Sequence, residues 1–326
     1  MHIWLPNDMG ARRCLLLILL ACTCLSVRSV AQNCSLSAPQ KLAAMQLTNL
    51  FENGNFEFNY GYCENINDGR GVTAGFAGFT TANGDALDLV QAYTAGHPRN
   101  SLAKYLPALI LLGKTQSDST ALLTGFCKAW SAEANNTPFQ QAQQAQVDSV
   151  YYQPSQQKAD SLGLQYALSR AFLYDTIIQH GDGDDGDSLA AIVNRTKALQ
   201  GGSPADGVDE SIWLPAMIRE RRHDLLHPEN AATADQWAVS VERTDVFSQL
   251  AETQQWGLSG TIRFNTTNYP NESLITNTTA SSSAMCGQKL TSSDSISSGC
   301  SLSIAVSTLL LCFAWFVLSL LLDHPL

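Results

Sequence analysis

Apolar side chains recur along most of this chain at the spacing of helices. Leu102, Tyr105, Leu106, Leu109 and Ile110 fall at i, i+3, i+4, i+7 and i+8, which is one helix face. Leu164, Ala167, Leu168, Ala171, Asp175 and Ile178 make a second stripe, and Val239, Arg243, Val246, Phe247 and Leu250 a third. Met217, Ile218, Arg221 and Leu225 make a fourth, whose helix Pro215 is expected to start. An earlier helix carries Leu42, Met45, Leu50 and Phe51 and should end at Glu52, with Asn53-Gly54 as its stop signal. Strand signals are few, and the best runs from Val72 to Thr81 between glycine-rich turns. The pattern predicts a mainly α (α+β) body with a small β element near residues 68–81 and no internal repeat.

Three of these stripes place a charge where an apolar residue belongs: Asp175, Arg221 and Arg243. A lone buried charge is costly, so buried charges come in pairs. One acid and two arginines, each on the inward face of its own helix, are expected to form one interior network. The alternative is that the stripes are misphased and all three are surface charges. Such a cluster carries net positive charge, which would orient a catalytic carboxylate and keep it ionised.

The two ends read differently. Arg12-Arg13, an apolar run from Cys14 to Val27, and Ser29-Val30-Ala31 before Gln32 make residues 1–31 a secretion signal. That run is too short to span a bilayer. Near the other end, Ile304 to Leu322 is uncharged and apolar, and only Asp323-His324-Pro325-Leu326 follows it. A stop-transfer helix normally carries Lys or Arg on its cytoplasmic side, and none is present here. The small polar residues upstream suit a glycolipid-anchor signal, with attachment at Ser293 or a neighbouring serine and removal of residues 294–326. A retained transmembrane tail is the alternative. Residues 265–293, rich in Ser, Thr and Asn, read as a glycosylated stalk, which leaves 32–264 as the catalytic domain. The expected location is extracellular, on the outer face of the plasma membrane.

Charge narrows the partners. With 19 Lys+Arg against 29 Asp+Glu the net charge is −10, and the two ends remove equal numbers of each sign. That balance argues against nucleic acid and favours a cationic polymer. Of the nine cysteines, Cys34, Cys63, Cys127 and Cys286 stay in the mature part, an even count in an oxidising compartment with three possible pairings. Six Asn-x-Ser/Thr sites (Asn33, Asn135, Asn194, Asn265, Asn271 and Asn277) suit a secretory route. No cofactor and no metal is expected. The Asp-rich loop 182–187 lacks the spacing and terminal Glu of a calcium loop and reads as solvated.

Two carboxylates stand out. Glu52 closes a helix, where the partial negative charge of the C-terminus disfavours ionisation, as suits a general acid. Asp68 lies in the Asn67-Asp68-Gly69-Arg70-Gly71 turn, where the glycines let a substrate approach the backbone. Thr73, a few residues on, is placed to hold a water for Asp68. Two carboxylates on separate elements suit acid/base cleavage of a glycosidic bond. Phe58, Tyr60 and Tyr62 are either sugar-stacking or core aromatics.

These stretches together resemble the chitosanases of glycoside hydrolase family 46. The resemblance is carried by Phe51-Glu52-Asn53, Tyr62 to Thr73 (YCENINDGRGVT), Gly78-Phe79 with Asn83-Gly84-Asp85, Ala103 to Leu109 (AKYLPAL), Phe139 to Gln143 (FQQAQ), Gln157 to Asp160 (QKAD) and Leu173 to Gly181 (LYDTIIQHG), in order. It implies a lysozyme-like fold of two lobes with a substrate cleft between them, and endo-cleavage of chitosan with inversion by a monomer. By position it implies Glu52 as general acid, Asp68 as general base and Thr73 as the water-positioning residue. Glu64, Asp85, Tyr62 and Arg70 would contact substrate, and Asp175, Arg221 and Arg243 match the family's buried network. Two other readings are a non-catalytic surface binder of cationic polysaccharide and a hydrolase of chitin or peptidoglycan. The intact carboxylate pair argues against the first, and the acids Glu64 and Asp85 against the second.

Overall fold

The computed structural model describes residues 34–276. The expected secretion signal, the tail and Cys286 lie outside the described residues.

Helix α1, Ala38–Asn53, opens with a reciprocal cap: the Ser37 hydroxyl accepts from the Gln40 amide while the Gln40 side chain accepts from the Ser37 amide at 3.0 Å. It ends at Gly54 in the left-handed conformation, φ 74°. Three two-residue strands follow, β1 (Cys63–Glu64), β2 (Thr73–Ala74) and β3 (Phe79–Thr80), paired antiparallel in chain order. This small sheet is the β element expected near 68–81, joined by a strand further upstream. Helices α2 (Asp85–Gly96), α3 (Leu106–Thr115), α4 (Phe126–Glu133) and α5 (Thr137–Val147) complete the first lobe, with α2 packed on α3 and α5 and with α4 against β1. The Cys63–Cys127 disulfide ties β1 to α4, which settles one of the open pairings.

A single turn of π-type helix, Asp148–Tyr152, carries α5 directly into α6, Gln153–Ser161. This continuous rod leads from the first lobe to the second. At the centre of the second lobe lies α7, Ala167–His180, of which 12 residues are buried, so it has almost no exposed side. Around it pack α1, α6, α8 (Leu189–Gln200) and α11 (Glu242–Glu252), while α9 (Glu210–Leu226) packs on α8 and α11 and on the short α10 (Ala234–Val239). The last described element is an antiparallel hairpin of β4 (Thr261–Phe264) and β5 (Glu272–Ile275).

Several expectations change. Pro215 does not start its helix: α9 begins at Glu210, where Asp209 accepts from the Ser211 amide at 2.8 Å, and the proline sits inside. Burial of Trp213 and Leu214 just before the proline, together with the Asp209 cap, offsets the backbone bond and the ring clash that an interior proline costs. Leu42 and Ile110 are exposed, because α1 uses Ala43, Ala44, Leu47 and Leu50 for its inner face and α3 uses Leu109 and Leu112. Small alanines allow a closer approach than the leucine pattern suggests. Val239 is also exposed and ends α10, so Arg243 belongs to a different helix from the residue thought to begin its stripe. Residues 265–276, read as the start of a stalk, belong instead to the folded body: Leu274 and Thr276 are buried, and the Tyr269 ring lies 5.4 Å from that of Phe51. Asn135, Asn194, Asn265 and Asn271 are all exposed.

Candidate active site

Glu52 occupies the last turn of α1 with its side chain 43% exposed, and one of its oxygens, Oε1, accepts from Arg243 Nη1 at 2.6 Å. Behind Arg243 lies Asp175, wholly buried on α7. Arg243 grips it with two nitrogens, Nη2 to Oδ1 at 2.8 Å and Nε to Oδ2 at 3.2 Å. Arg221 reaches the same Oδ2 from α9 at 2.7 Å, and extends to Thr176 Oγ1 at 3.2 Å and Gln179 Oε1 at 2.6 Å. The structure thus brings Asp175, Arg221 and Arg243 into one buried cluster and adds Glu52 to it. A second carboxyl group thus stands against the two guanidiniums, beside the one the stripes suggested.

Burial alone would raise the pKa of Asp175. The Arg243 and then the Arg221 charge outweigh it and hold the carboxyl at about 2. Burial likewise pulls Arg221 down to about 10, against the attraction of Asp175, so it stays a cation at neutral pH. Arg243 is pushed upward, because Asp175 and Glu52 together overcome the cost of burying it. The ring of Phe51 lies under the Arg243 guanidinium at 5.4 Å and that of Phe172 under Arg221 at 5.2 Å. The helix-end reading of Glu52 left out its strongest neighbour, which comes from the far end of the chain.

Asp68 lies in an exposed turn between β1 and β2. Its carboxylate accepts from the Arg70 amide at 3.0 Å and from Arg70 Nε at 2.7 Å, so Arg70 is engaged within the turn rather than standing free for substrate. The Arg70 side chain, then its amide, hold Asp68 below the usual carboxylate range. Gly71 is required here: φ is +78°, and a Cβ would meet Thr81 Oγ1 at 2.4 Å. Thr81 in turn receives the Val72 amide at 3.0 Å, which anchors the turn to the segment leading into α2.

The sheet register aligns three further residues. Glu64 pairs with Thr73, and Thr73 with Thr80. Directly opposed residues share a sheet face. Thr80 then donates through its amide and its hydroxyl to Asp85 Oδ1, at 2.8 and 3.0 Å. Glu64, Thr73 and Thr80 therefore form one row across the sheet, which Asp85 extends from the start of α2 through its bonds to Thr80. The Thr73 hydroxyl is buried with no protein partner. Tyr62, two residues before Glu64, donates weakly to its Oε2 at 3.5 Å. Next to Glu52, the Asn53 side-chain amide donates to the Phe76 carbonyl at 3.3 Å, linking the end of α1 to the turn between β2 and β3.

Phe58 and Tyr60 are packing residues, since their rings meet Phe76 edge to face at 5.0 and 5.3 Å and Gln144 donates to the Tyr60 hydroxyl at 2.5 Å. Tyr151 is a neighbour that sequence reasoning missed. It sits in the π-type turn, half-buried, and burial followed by the charges of Asp85 and Glu52 raises its pKa. A Tyr-Tyr pair in a helical stretch carries no signal of this, because only the local widening of the helix turns the side chain toward the two acids. In the Asp-rich loop, Asp182 pairs with Lys158 at 3.1 Å and Asp187 accepts from the Glu229 amide at 2.7 Å. Among the described residues no group of His, Cys, Asp or Glu is arranged to hold a metal ion.

Glu52 is thus a half-exposed carboxyl group held by an arginine that a buried acid grips, and Asp68 is a second carboxyl group on an exposed glycine turn. Comparison with known proteins gives the family. Residues 46–262 match glycosyl hydrolase family 46. A chitosanase of Bacillus subtilis (strain 168) is 49% identical over 236 residues, covering 72% of this chain and 85% of that protein. A crystal structure of the native chitosanase from Bacillus subtilis MY002 superposes with a TM-score of 0.65 at 48% identity, covering 74% of this chain and all of that one. The Gynuella sunshinyii family 46 chitosanase in complex with chitotetraose superposes at 0.63 with 41% identity, over 74% of this chain and 98% of the other. The chain belongs to glycosyl hydrolase family 46, and it is a glycoside hydrolase.

Proposed function

We propose that this enzyme cleaves the β-1,4 bonds of chitosan internally and with inversion. Glu52 gives a proton to the leaving glycosidic oxygen and ends ionised beside Arg243, the contact that the structure holds. Asp68, kept ionised by Arg70, takes a proton from the attacking water. The Thr73 hydroxyl, buried and without a protein partner, orients that water. An inverting site needs room for a water between base and sugar, roughly 6.5–9.5 Å between carboxyl groups. Glu64 and Asp85, at the two ends of the row across the sheet, receive the ammonium groups of glucosamine, with Tyr62 and Tyr151 alongside.

The observation that carries this reading is the chain of contacts from Glu52 through Arg243 and Asp175 to Arg221. A side chain meant only to bind has no need of a buried support running through three helices. The test is the viscosity of a chitosan solution, with colloidal chitin and bacterial walls as controls. A rapid fall in viscosity with slow release of reducing ends supports endo-cleavage of chitosan. Activity on chitin or walls alone refutes it.

The proposal includes an extracellular place of action, tethered by a C-terminal glycolipid. The Cys63–Cys127 disulfide and the exposed sequon asparagines support an oxidising secretory route. Release of activity from intact cells by a phosphatidylinositol-specific phospholipase would support the tether. Recovery of a peptide from residues 304–326 in washed membranes would refute it.

A further inference from the structure

Two buried polar atoms beside the arginine network lack a protein partner: Nε of Arg221 and Nε2 of His180. Their chemistry is complementary. Both terminal nitrogens of Arg221 are engaged, by Asp175, Thr176 and Gln179, so Nε is the one nitrogen of the guanidinium without a partner, and its N–H can only donate. His180, 8% exposed, places Nδ1 2.8 Å from the Asp187 carbonyl oxygen. A carbonyl accepts, so Nδ1 must carry the proton, and the neutral ring then offers a bare lone pair at Nε2.

The two side chains are also neighbours, since the Arg221 charge acts on the His180 ring. Thr176 and His180 stand one helical turn apart on the same side of α7, and Thr176 already touches Arg221. Burial, followed by the positive charge of Arg221, pushes the His180 pKa down to about 3, with Arg243 adding to the fall and Asp175 opposing it. The ring is thus neutral at every working pH. Trp237 closes the site from α10, its ring 4.7 Å from that of His180.

We propose that His180 is a positioning residue for the acid, its Nε2 accepting from Arg221 Nε through one buried water. The arrangement satisfies a donor and an acceptor that would each be costly to leave unpaired. It also fixes the plane of the Arg221 guanidinium. That plane matters because Asp175 Oδ2 is shared by Arg221 at 2.7 Å and Arg243 at 3.2 Å, so a tilt in one guanidinium displaces the other, and Arg243 holds Glu52. The chain of positioning runs His180, Arg221, Asp175, Arg243, Glu52. This inference rests on Glu52 being the proton donor.

The first test needs no variant and no substrate. In protein labelled with ¹⁵N-histidine, NMR should find His180 as the Nδ1–H tautomer, not titrating between about pH 5 and 8. An Nε2–H tautomer, or a ring that titrates in that range, overturns the proposal whatever the activity of the enzyme. The second test compares His180→Gln, whose carboxamide keeps an acceptor, with His180→Phe, which keeps only the bulk. On chitosan oligomers the phenylalanine variant should lose about tenfold or more in kcat with KM within about twofold, while the glutamine variant stays within about threefold of wild type. A folded His180→Phe enzyme with wild-type kcat refutes the role. So does a His180→Gln enzyme as slow as the phenylalanine variant, or slower than about tenfold if the latter fails to fold. Wild-type protein inert on chitosan would instead sink the proposed function, and the positioning role with it, even with the tautomer as expected.

Discussion

Replacing Arg221 by alanine tests the network most directly. Arg221 is fully buried, as is Asp175, so no solvent can move in to neutralise what the substitution leaves behind. The change removes the 2.7 Å ion pair and the bonds to Thr176 and Gln179, and opens a cavity over the Phe172 ring. Breaking a buried pair by removing one partner costs about 3–5 kcal/mol. Asp175 keeps the two-nitrogen grip of Arg243, which favours the lower part of that range. For a folded unit of this size each kcal/mol lowers Tm by roughly 2–4 °C, so the expected fall is on the order of 6–20 °C. Calorimetry at neutral pH reads the stability loss. Turnover of chitosan oligomers, well below the new Tm, reads the effect on Glu52. The volume-keeping Arg221→Met variant separates charge from cavity and should retain most of the loss. A Tm within about 2 °C of wild type would refute the buried network. A large Tm loss with unchanged kcat would leave the network structural and break its link to the acid.

Glu52→Gln and Asp68→Asn should each lose on the order of 10²-fold or more in kcat while still binding chitosan; near-normal turnover in either removes that residue from the mechanism. Arg70 lowers the Asp68 pKa, so the base stays ionised below the ordinary carboxylate range and the acid limb of kcat/KM should lie beneath that range. Arg70→Gln should move that limb to higher pH, and an unmoved limb would mean that Arg70 does not set the ionisation of the base. Asp85→Asn keeps an acceptor for Thr80 and removes only the charge, so KM on chitosan should rise while Tm barely changes, and added salt should weaken wild-type binding more than that of the variant. Asp175 and Glu133 both ionise at about 2 in the folded protein, below their free values, so the stability they contribute is complete above about pH 5 and drains away as the pH falls toward 2. For Asp175 the contribution is roughly 2 kcal/mol, and a Tm that holds or rises between about pH 4 and 2.5 would contradict it.

Much of the helical body was legible because its signals are local. Periodicity and the Gly54 stop each depend on residues within a turn or two of one another, and such interactions form whatever the rest of the chain does. The charges inside the stripes were informative for a related reason. A face that is otherwise apolar is going to be buried, and a buried charge requires a partner. That reasoning named Asp175, Arg221 and Arg243 without knowing which helices would meet. It misjudged details where tertiary packing overrides a local rule, as at Pro215, where the buried Trp213 and Leu214 hold the turn before the proline, and at Leu42, where alanines make the contact.

What the sequence by itself determined is therefore the helical character of the body, the identity of the buried charges and the tight geometry of the Asp68 turn. The tertiary structure alone decided which of these meet. Arg243 lies 191 residues from Glu52, and no periodicity over a few turns can report a contact at that separation. The row of Glu64, Thr73 and Thr80, with Asp85 beyond it, depends on the register of two-residue strands, which carry too few side chains to set their own pairing and take it from the disulfide and the Thr80–Asp85 bonds. Tyr151 joins the site only because the rod between the lobes widens by one residue at that point. Burial, finally, turns these contacts into chemistry: the same three side chains on a solvated surface would be weakly coupled, and inside the second lobe they hold one carboxylate ionised and another in place.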